Sequence, residues 1–155
     1  MISTDLLQRY PLFRSLDEAV LPAVSMATEE ITCAQSDVLF ETNQPADALY
    51  LLLNGALELW IVSTDRNGNG NRHFYPSGEV RPGELAGISA LVQPYLYTAT
   101  AQITRPSTLL RINARVLRDL SANDPRLDSA LMHLVAQATM QRLRDARAQI
   151  LALRK

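Results

Sequence analysis

The sequence predicts a mainly β protein with helices at both ends, on three features of its 155 residues. The middle of the chain has short runs rich in β-branched and aromatic residues, separated by turn formers, as in a sandwich or barrel. Both ends instead place their apolar residues at helical intervals. An apolar content of 47% suffices for one buried core, whereas the length is too short for two full domains. We therefore expect a single domain spanning residues 1–155.

The first 27 residues are predicted to be helical. A short helix over residues 4–9 is expected to end at Tyr10, because Pro11 disfavours the helical conformation in the residue before it. A second helix is expected over about residues 17–26, where apolar residues fall on one face.

Residues 28–113 are predicted to form a β barrel. Asn54-Gly55 lies between two apolar runs, which is the strongest short-range signal for a hairpin, and residues 65–71 predict another hairpin tip. Arg105-Pro106 is expected to separate the last two strands. The predicted strands cover residues 30–33, 38–40, 49–53, 57–63, 72–75, 98–103 and 107–112.

Two helices are predicted in residues 114–155. Asn113 is a suitable N-cap for a helix over residues 114–120. The pair Asp124-Pro125 combines a capping residue with proline at the first helical position, so it predicts the start of a long helix that reaches about Leu153.

The second half of the long helix carries an apolar seam at alternating steps of four and three. Such a seam favours packing against a partner helix and predicts a homodimer through this helix. Packing of the same residues on the protein's own barrel is the alternative. The seam comprises Thr139, Leu143, Ala146, Ile150 and Leu153.

Charge is distributed unevenly along the chain. The net charge of -1 and the pI of about 6.1 argue against a protein that coats nucleic acid. Residues 1–104 contain 5 Arg and 12 Asp or Glu, whereas residues 105–155 contain 10 Arg or Lys and 4 Asp. We interpret the basic end as the solvated face of a helix.

Catalytic and metal-binding motifs are not found in the sequence. Cys33 is the only cysteine, which excludes an intrachain disulfide, an iron-sulfur cluster and a cysteine-based zinc site. Neither His73 nor His133 has metal-ligand spacing to a second ligand, and no nucleophile elbow, P-loop or dinucleotide fingerprint is present. The longest apolar run, residues 48–53, is too short to span a bilayer. We expect a non-enzymatic, cytoplasmic protein without a metal or a membrane segment.

The candidate binding site lies in residues 80–101, VRPGELAGISALVQPYLYTATA. Two strand-like runs flank a glycine-punctuated loop and one turn of small apolar residues. This layout gathers backbone amides around one concave spot, as in an anion-binding site.

Several motifs along the chain resemble the cyclic nucleotide-binding domain family, which includes the sensory halves of catabolite-activator and Fnr-type regulators. The resemblance extends over roughly residues 10–150. It implies a double-stranded β-helix, or jelly roll, with helices before and after it, the last being the dimer or hinge helix. The matching motifs are Pro11-Leu12-Phe13 with Leu16 and Leu21, Asp37-Val38-Leu39-Phe40, the run from Pro45 to Leu52, and Asn54-Gly55.

By this resemblance, residues 80–101 correspond to the family's phosphate-binding cassette. There a Glu accepts from the ribose hydroxyl, an Arg neutralises the cyclic phosphate, and amides at a helix start complete the anion site. One alignment matches Gly83-Glu84-Leu85-Ala86 to the family's Gly-Glu-Leu-Ala, but it makes the cassette too long. The other starts the cassette at Gly87 and runs without a gap through Tyr97-Thr98-Ala99.

The second alignment is the one we prefer, and it removes both charged groups. It places Ile88 at the position of the ribose-binding Glu and Tyr97 at that of the phosphate-binding Arg, and the Arg is absent in either alignment. The nearest alternatives, Arg81, Arg105 and Arg111, stand at no matching position and are expected to be exposed residues at strand ends.

The resemblance implies a regulatory sensor domain that does not bind cAMP or cGMP in the usual way. A nucleotide or another small anionic ligand is the expected occupant. Two alternatives remain open: a degenerate domain that serves as a dimerisation or docking module, and the sensory half of a Crp/Fnr-type transcription regulator without its DNA-binding module, which would not bind DNA by itself. The candidate pocket comprises Gly83, Glu84, Gly87, Ile88, Ser89, Ala90, Tyr97 and Thr98.

Overall fold

The computed structural model describes residues 2–14, 16–65 and 70–154 and shows a mainly antiparallel sheet with helices at both ends. The predicted fold class is confirmed. The strands are β1 Thr28–Cys33, β2 Val38–Phe40, β3 Ala48–Thr64, β4 Arg72–Val80, β5 Leu85–Ala86 and β6 Thr100–Asn113. The helices are α1 Thr4–Leu7, α2 Pro11–Arg14, α3 Leu21–Met26, the 3₁₀-helix Ile88–Leu91, α4 Ala114–Asn123 and α5 Pro125–Ala152.

The strands form one sheet with the order β1-β6-β3-β4, to which β2 adds on β6 and β5 adds on β3. Every pairing is antiparallel. Among the described residues this hydrogen-bonded path does not close on itself, so the sheet is open where a closed barrel was expected. Leu49, Leu51, Leu110 and Ile112 share one face of β3 and β6 and are buried in the core.

The hairpin predicted at Asn54-Gly55 was wrong, because β3 runs straight through these two residues. Gly55 adopts a φ of 102°, and the register between β3 and β6 shifts on both sides of it. The left-handed backbone that Asn-Gly offers is therefore used for a β-bulge, not for a chain reversal. The Ser107 hydroxyl accepts from the Ala56 amide at 3.1 Å and so satisfies a group that the bulge removes from the ladder.

The break predicted at Arg105-Pro106 was also wrong, since β6 continues from Thr100 to Asn113. Proline cannot donate to a ladder, but Pro106 lies opposite the β3 bulge and has no register partner in either neighbouring strand. The proline is tolerated because the bulge on β3 and the proline on β6 fall at the same level.

The N-terminal helices differ from their predicted bounds. Pro11 begins α2, because the first helical position requires no N–H donor, and α1 ends at Leu7. The helix expected from residue 17 starts at Leu21. The predicted tip over residues 65–71 does join an antiparallel pair, with Thr64 opposite Arg72, although residues 66–69 lie outside the described residues.

The C-terminal helices begin where the sequence predicts. The Asn113 side chain accepts from the Val116 amide, and the Asp124 side chain accepts from the amides of Arg126 and Leu127. The first half of α5 packs on the domain through three buried residues, Leu127, Leu131 and Val135. Further along, α5 approaches β4 so closely that a Cβ on Gly78 would lie 2.9 Å from the Asp145 side chain. This path carries α5 past the predicted cassette.

Candidate ligand-binding site

A tight turn at Pro82-Gly83 precedes the cassette. Gly83 has a φ of 89°, its amide donates to Leu52 O at 2.7 Å, and the Glu84 carboxylate accepts from the Arg81 amide at 2.8 Å. The Glu84 side chain therefore closes the turn by a hydrogen bond to its first residue, Arg81.

The cassette helix, residues Ile88–Leu91, starts at Gly87. Gly87 has a φ of 79°, and a Cβ there would lie 3.1 Å from the Tyr97 ring and 3.2 Å from Ala48 O. Both the left-handed backbone and the close approach require glycine at this position. Ala90, on the inner side of this helix, is fully buried.

Arg118 of α4 holds the cassette helix in place. Its Nε donates to Ala90 O and its Nη2 donates to Ala46 O, each at 2.7 Å. The guanidinium also stacks on the Tyr95 ring at 3.9 Å from the ring centroid. The fork of Arg118 thus ties α4 both to the cassette helix and to the chain just before β3.

Tyr97 is buried, with an exposure of 5%, and its hydroxyl is bound by protein. It donates to Ala48 O at 2.7 Å and accepts from Ala48 N at 3.3 Å. The ring stacks on Phe40 with centroids 4.0 Å apart. Burial raises the pKa of Tyr97 to about 12, although the bond to Ala48 opposes this, so the side chain is neutral at physiological pH.

A cavity of about 290 Å³ lies between the cassette helix, β3 and α5. Five of the predicted pocket residues meet there: Gly87, Ile88, Ser89, Tyr97 and Thr98. Its other lining residues are Phe40, Leu59, Val92, Ala99, Val135, Thr139 and Arg142. The structure places Gly83 and Glu84 apart from this cavity, on a groove of about 510 Å³ between the turn and α5.

Comparison with known proteins identifies the family of this fold and cassette. The sequence profile of the cyclic nucleotide-binding domain matches residues 30–124, which include β2 to β6 and the cassette helix. The chain belongs to the cyclic nucleotide-binding domain family.

Solved members of this family have the same fold over most of their length. A candidate cyclic nucleotide-binding protein from Geobacter metallireducens GS-15 is 36% identical, with a TM-score of 0.79, over 92% of this chain and 99% of that one. The N-terminal domain of a transcriptional regulator from Streptomyces coelicolor A3(2) is 29% identical, with a TM-score of 0.60, over 92% and 95%.

Curated relatives are much longer than this chain. Probable cyclic nucleotide-gated ion channel 5 of Arabidopsis thaliana is 31% identical over 80 residues, which are 52% of this chain and 11% of the channel. Protein CNGC15b of Medicago truncatula is 23% identical over 76% of this chain and 17% of its own length. Thus the chain spans less than a fifth of these two relatives.

Arg142 of α5 is a residue of this cyclic nucleotide-binding domain that the sequence prediction missed. Its side chain is 20% exposed, donates to Leu85 O next to the cassette helix, and lies 3.9 Å from the Asp145 carboxylate. Burial lowers the pKa of the guanidinium, an effect that Glu84 and Asp145 oppose. Val135, Thr139 and Arg142 follow one another at steps of four and three, so helical spacing could have placed all three on one face.

The three arginines near the cassette in sequence do not line the cavity. Arg81 and Arg105 are exposed, as expected, although Arg105 lies in the middle of β6 and not at a strand end. Arg111, also in β6, is partly buried; it pairs with Glu29 at 3.4 Å and lies opposite Tyr50 in the sheet. The cation that lines the cassette cavity therefore comes from α5 and not from these arginines.

Residues 2–14, 16–65 and 70–154 contain no group of three or more His, Cys, Asp or Glu side chains that could hold a metal ion. His73 contacts Asp65 at 2.8 Å on the surface. Over the same described ranges, none of the helices combines the length and apolarity needed to span a membrane.

The predicted dimer seam on α5 divides into two parts. Thr139, its first member, lines the cassette cavity. Ala146 is partly buried, whereas Leu143, Ile150 and Leu153 are 40%, 61% and 77% exposed.

Proposed function

We propose that this cyclic nucleotide-binding domain is a non-enzymatic regulatory sensor whose cassette cavity binds a small ligand other than cAMP or cGMP. One observation carries the proposal: Tyr97, which our preferred alignment places at the position of the family's phosphate-binding Arg, is neutral, buried and bound to Ala48. A cyclic phosphate placed there would lose its counter-charge.

The structure of the turn supports the alignment on which this rests. Gly87, and not Gly83, starts the cassette helix, which favours Ile88 as the residue at the ribose-binding position. Glu84, the other candidate for that role, accepts from the Arg81 amide and lines a different groove.

The magnitude of the loss is large enough to change the ligand. Hydrogen bonds to charged groups contribute roughly 1.5 to 3 kcal/mol each. Losing the carboxylate and the guanidinium together would weaken cyclic nucleotide binding by on the order of 10³-fold, since about 1.4 kcal/mol is a factor of ten. A cassette that binds cAMP at about micromolar concentration with both groups would need roughly millimolar cAMP without them.

The cavity nonetheless has the properties of a binding site. Its volume of about 290 Å³ is at the small end of ligand pockets, and its walls are mostly apolar with hydroxyl groups from Ser89, Thr98 and Thr139. Small, mostly apolar ligands with one polar end fit this lining.

Thermal-shift screening against nucleotides and small metabolites tests the proposal. We expect at least one compound to stabilise the wild-type protein, and Thr139→Trp, which fills the cavity from α5, to abolish that effect. His133→Trp is the matched control, because His133 is exposed on the same helix and does not line the cavity. A broad panel in which no compound raises the melting temperature would refute ligand sensing.

A role in dimerisation or protein docking is the second candidate. It is favoured by Leu143, Ile150 and Leu153, which leave apolar surface uncovered on the last turns of α5. Exposed apolar residues that share a helix face are typical of a helix that packs on a partner.

Sedimentation equilibrium of a double variant tests this candidate. Leu143→Glu plus Ile150→Glu should convert a dimer to a monomer, whereas Gln137→Glu plus Ala148→Glu adds the same charge on another face and should not. A dimer that survives the first pair of changes would exclude this seam as the interface.

We also propose that the sensor acts together with a separate DNA-binding module. The Streptomyces neighbour is the N-terminal domain of a transcriptional regulator, and its likeness covers 92% of this chain. In a setting of this kind, the cavity would detect the ligand and a separate module would contact DNA.

A further inference from the structure

One wall of the cassette cavity is formed by α5, through Val135, Thr139 and Arg142. Among the residues that line the cavity in the described part of the chain, Arg142 is the one with a formal charge at neutral pH, and Asp and Glu are absent. The cavity therefore combines an apolar body with a single cationic end.

The Arg142 guanidinium has donors to spare. It carries five N–H groups, of which one donates to Leu85 O; the Asp145 carboxylate lies 3.9 Å away, and Glu84 is near enough to act on its charge without a hydrogen bond between them. The side chain is only 20% exposed, so water solvates little of its charge. This burial lowers the pKa of the guanidinium. A negative group in the cavity would stabilise the positive charge of the guanidinium in place of the lost water.

We infer that the ligand of the cassette cavity is a compact monoanion with an apolar body, and that Arg142 of α5 binds its negative group. This inference rests on the proposed function, because it names the ligand class of the same site. It assigns the counter-charge to the C-terminal helix, whereas the cassette itself contributes apolar walls and hydroxyl groups.

Because Arg142 belongs to α5, its contact with a ligand would couple ligand binding to the position of this helix. The guanidinium bonds Leu85 O, which lies just before the cassette helix, so an anion that takes over part of its donors competes with this contact. Ligand binding would then change how α5 is held at the cassette.

Two probes of equal shape and different charge test the inference. Titration calorimetry with 2-naphthoate and 2-naphthamide is performed on the wild-type chain and on three variants: Arg142→Gln, Arg142→Lys and Arg147→Gln. Arg147 is the matched control, being exposed on the same helix and outside the cavity. We expect the wild type to bind naphthoate about 10-fold to 100-fold more tightly than naphthamide.

The variants identify the residue responsible. The preference for naphthoate should disappear in Arg142→Gln, persist at a reduced level in Arg142→Lys, and be unchanged in Arg147→Gln. Circular dichroism verifies that each variant is folded. If Arg142→Gln does not fold, the preference for naphthoate in the wild type and in Arg142→Lys still tests the role of Arg142.

Three results would overturn the inference. Equal affinity of the wild type for the two probes would refute the anionic ligand and leave ligand sensing standing. An unchanged preference in folded Arg142→Gln would refute the role of Arg142. Failure of both probes to bind at millimolar concentration would refute the inference together with the small-ligand site on which it rests.

Discussion

Tyr97 is bound by the protein through both its ring and its hydroxyl. The stacking on Phe40 and the two hydrogen bonds to Ala48 fix Tyr97 at the position that our proposal assigns to the family's phosphate-binding Arg. A residue held in this way contributes to the stability of the cassette as well as to the shape of the cavity.

Removal of the Tyr97 hydroxyl should therefore destabilise the protein. We expect Tyr97→Phe to lower the free energy of unfolding by about 1–3 kcal/mol, because the buried peptide of Ala48 loses a partner. Urea denaturation measures the change, and Tyr95→Phe, whose ring is only partly buried, is the control. A loss below about 0.3 kcal/mol would show that the Ala48 contacts do not stabilise the fold.

Tyr97 should also make stability depend on pH in the alkaline range. Its pKa is about 12 in the folded chain and about 10 in the unfolded chain, so its contribution is complete below pH 10 and is lost as pH rises through 12. The difference in unfolding free energy between wild type and Tyr97→Phe should shrink by roughly 1 kcal/mol per pH unit over this window. A constant difference from about pH 9 to about pH 11 would contradict a buried, neutral tyrosine.

At the residue scale the sequence supports only part of the site. That Ile88 and Tyr97 lie near one another could be predicted, because the cassette is a continuous segment with recognisable spacing, and both line the cavity. Arg142 could not, since the relation between α5 and the cassette depends on the packing of Leu127, Leu131 and Val135.

The cassette helix is a single short turn, and its stability comes from outside itself. Arg118 bonds Ala90 O and Ala46 O at 2.7 Å and lies over Tyr95. Because a guanidinium can serve both carbonyls at once, its replacement by a point charge loses one of them.

Arg118→Lys should accordingly lower the free energy of unfolding by about 1–3 kcal/mol, since a buried carbonyl is left without its donor. Arg115→Lys, on the exposed face of the same helix, should change it by less than about 0.5 kcal/mol. Chemical denaturation measures both variants. Equal stability of the two would show that Arg118 does not anchor the cassette helix.

The strand elements show where sequence patterns mislead. Asn54-Gly55 and Arg105-Pro106 both predict a chain break, yet both lie inside long strands. Gly55 needs a left-handed backbone, and Pro106 cannot donate to a ladder. The two residues lie opposite each other in the sheet. A single sequence does not reveal that they face one another, whereas the caps at Asn113 and Asp124 depend only on neighbours along the chain and were predicted correctly.

The β-bulge at Gly55 leads to a prediction that a hairpin at this position would not. A Cβ on Gly55 would lie 2.7 Å from Ser107 Cα, so Gly55→Ala should destabilise the protein by about 3 kcal/mol or more, combining overpacking with left-handed strain. Gly83→Ala is the control: it has a similar φ of 89° and no atom within 4 Å, so it should cost about 1–2 kcal/mol. Thermal denaturation compares the two, and equal losses would exclude the close approach to Ser107.

In the whole molecule, α5 connects the cassette with the surface available to partners. Its first half is buried against the domain, its middle lines the cavity through Thr139 and Arg142, and its end exposes Ile150 and Leu153. A ligand in the cavity and a partner on the last turns would thus contact the same helix. This arrangement supports a sensor that reports through α5.

Titration of the chain with cAMP, followed by the amide resonances of Gly87 to Ala90, is the most direct test of a cassette without its charged groups. We predict no saturable shift of these resonances up to about 1 mM cAMP. Saturation at micromolar cAMP, with shifts confined to the cassette helix and Tyr97, would contradict the account.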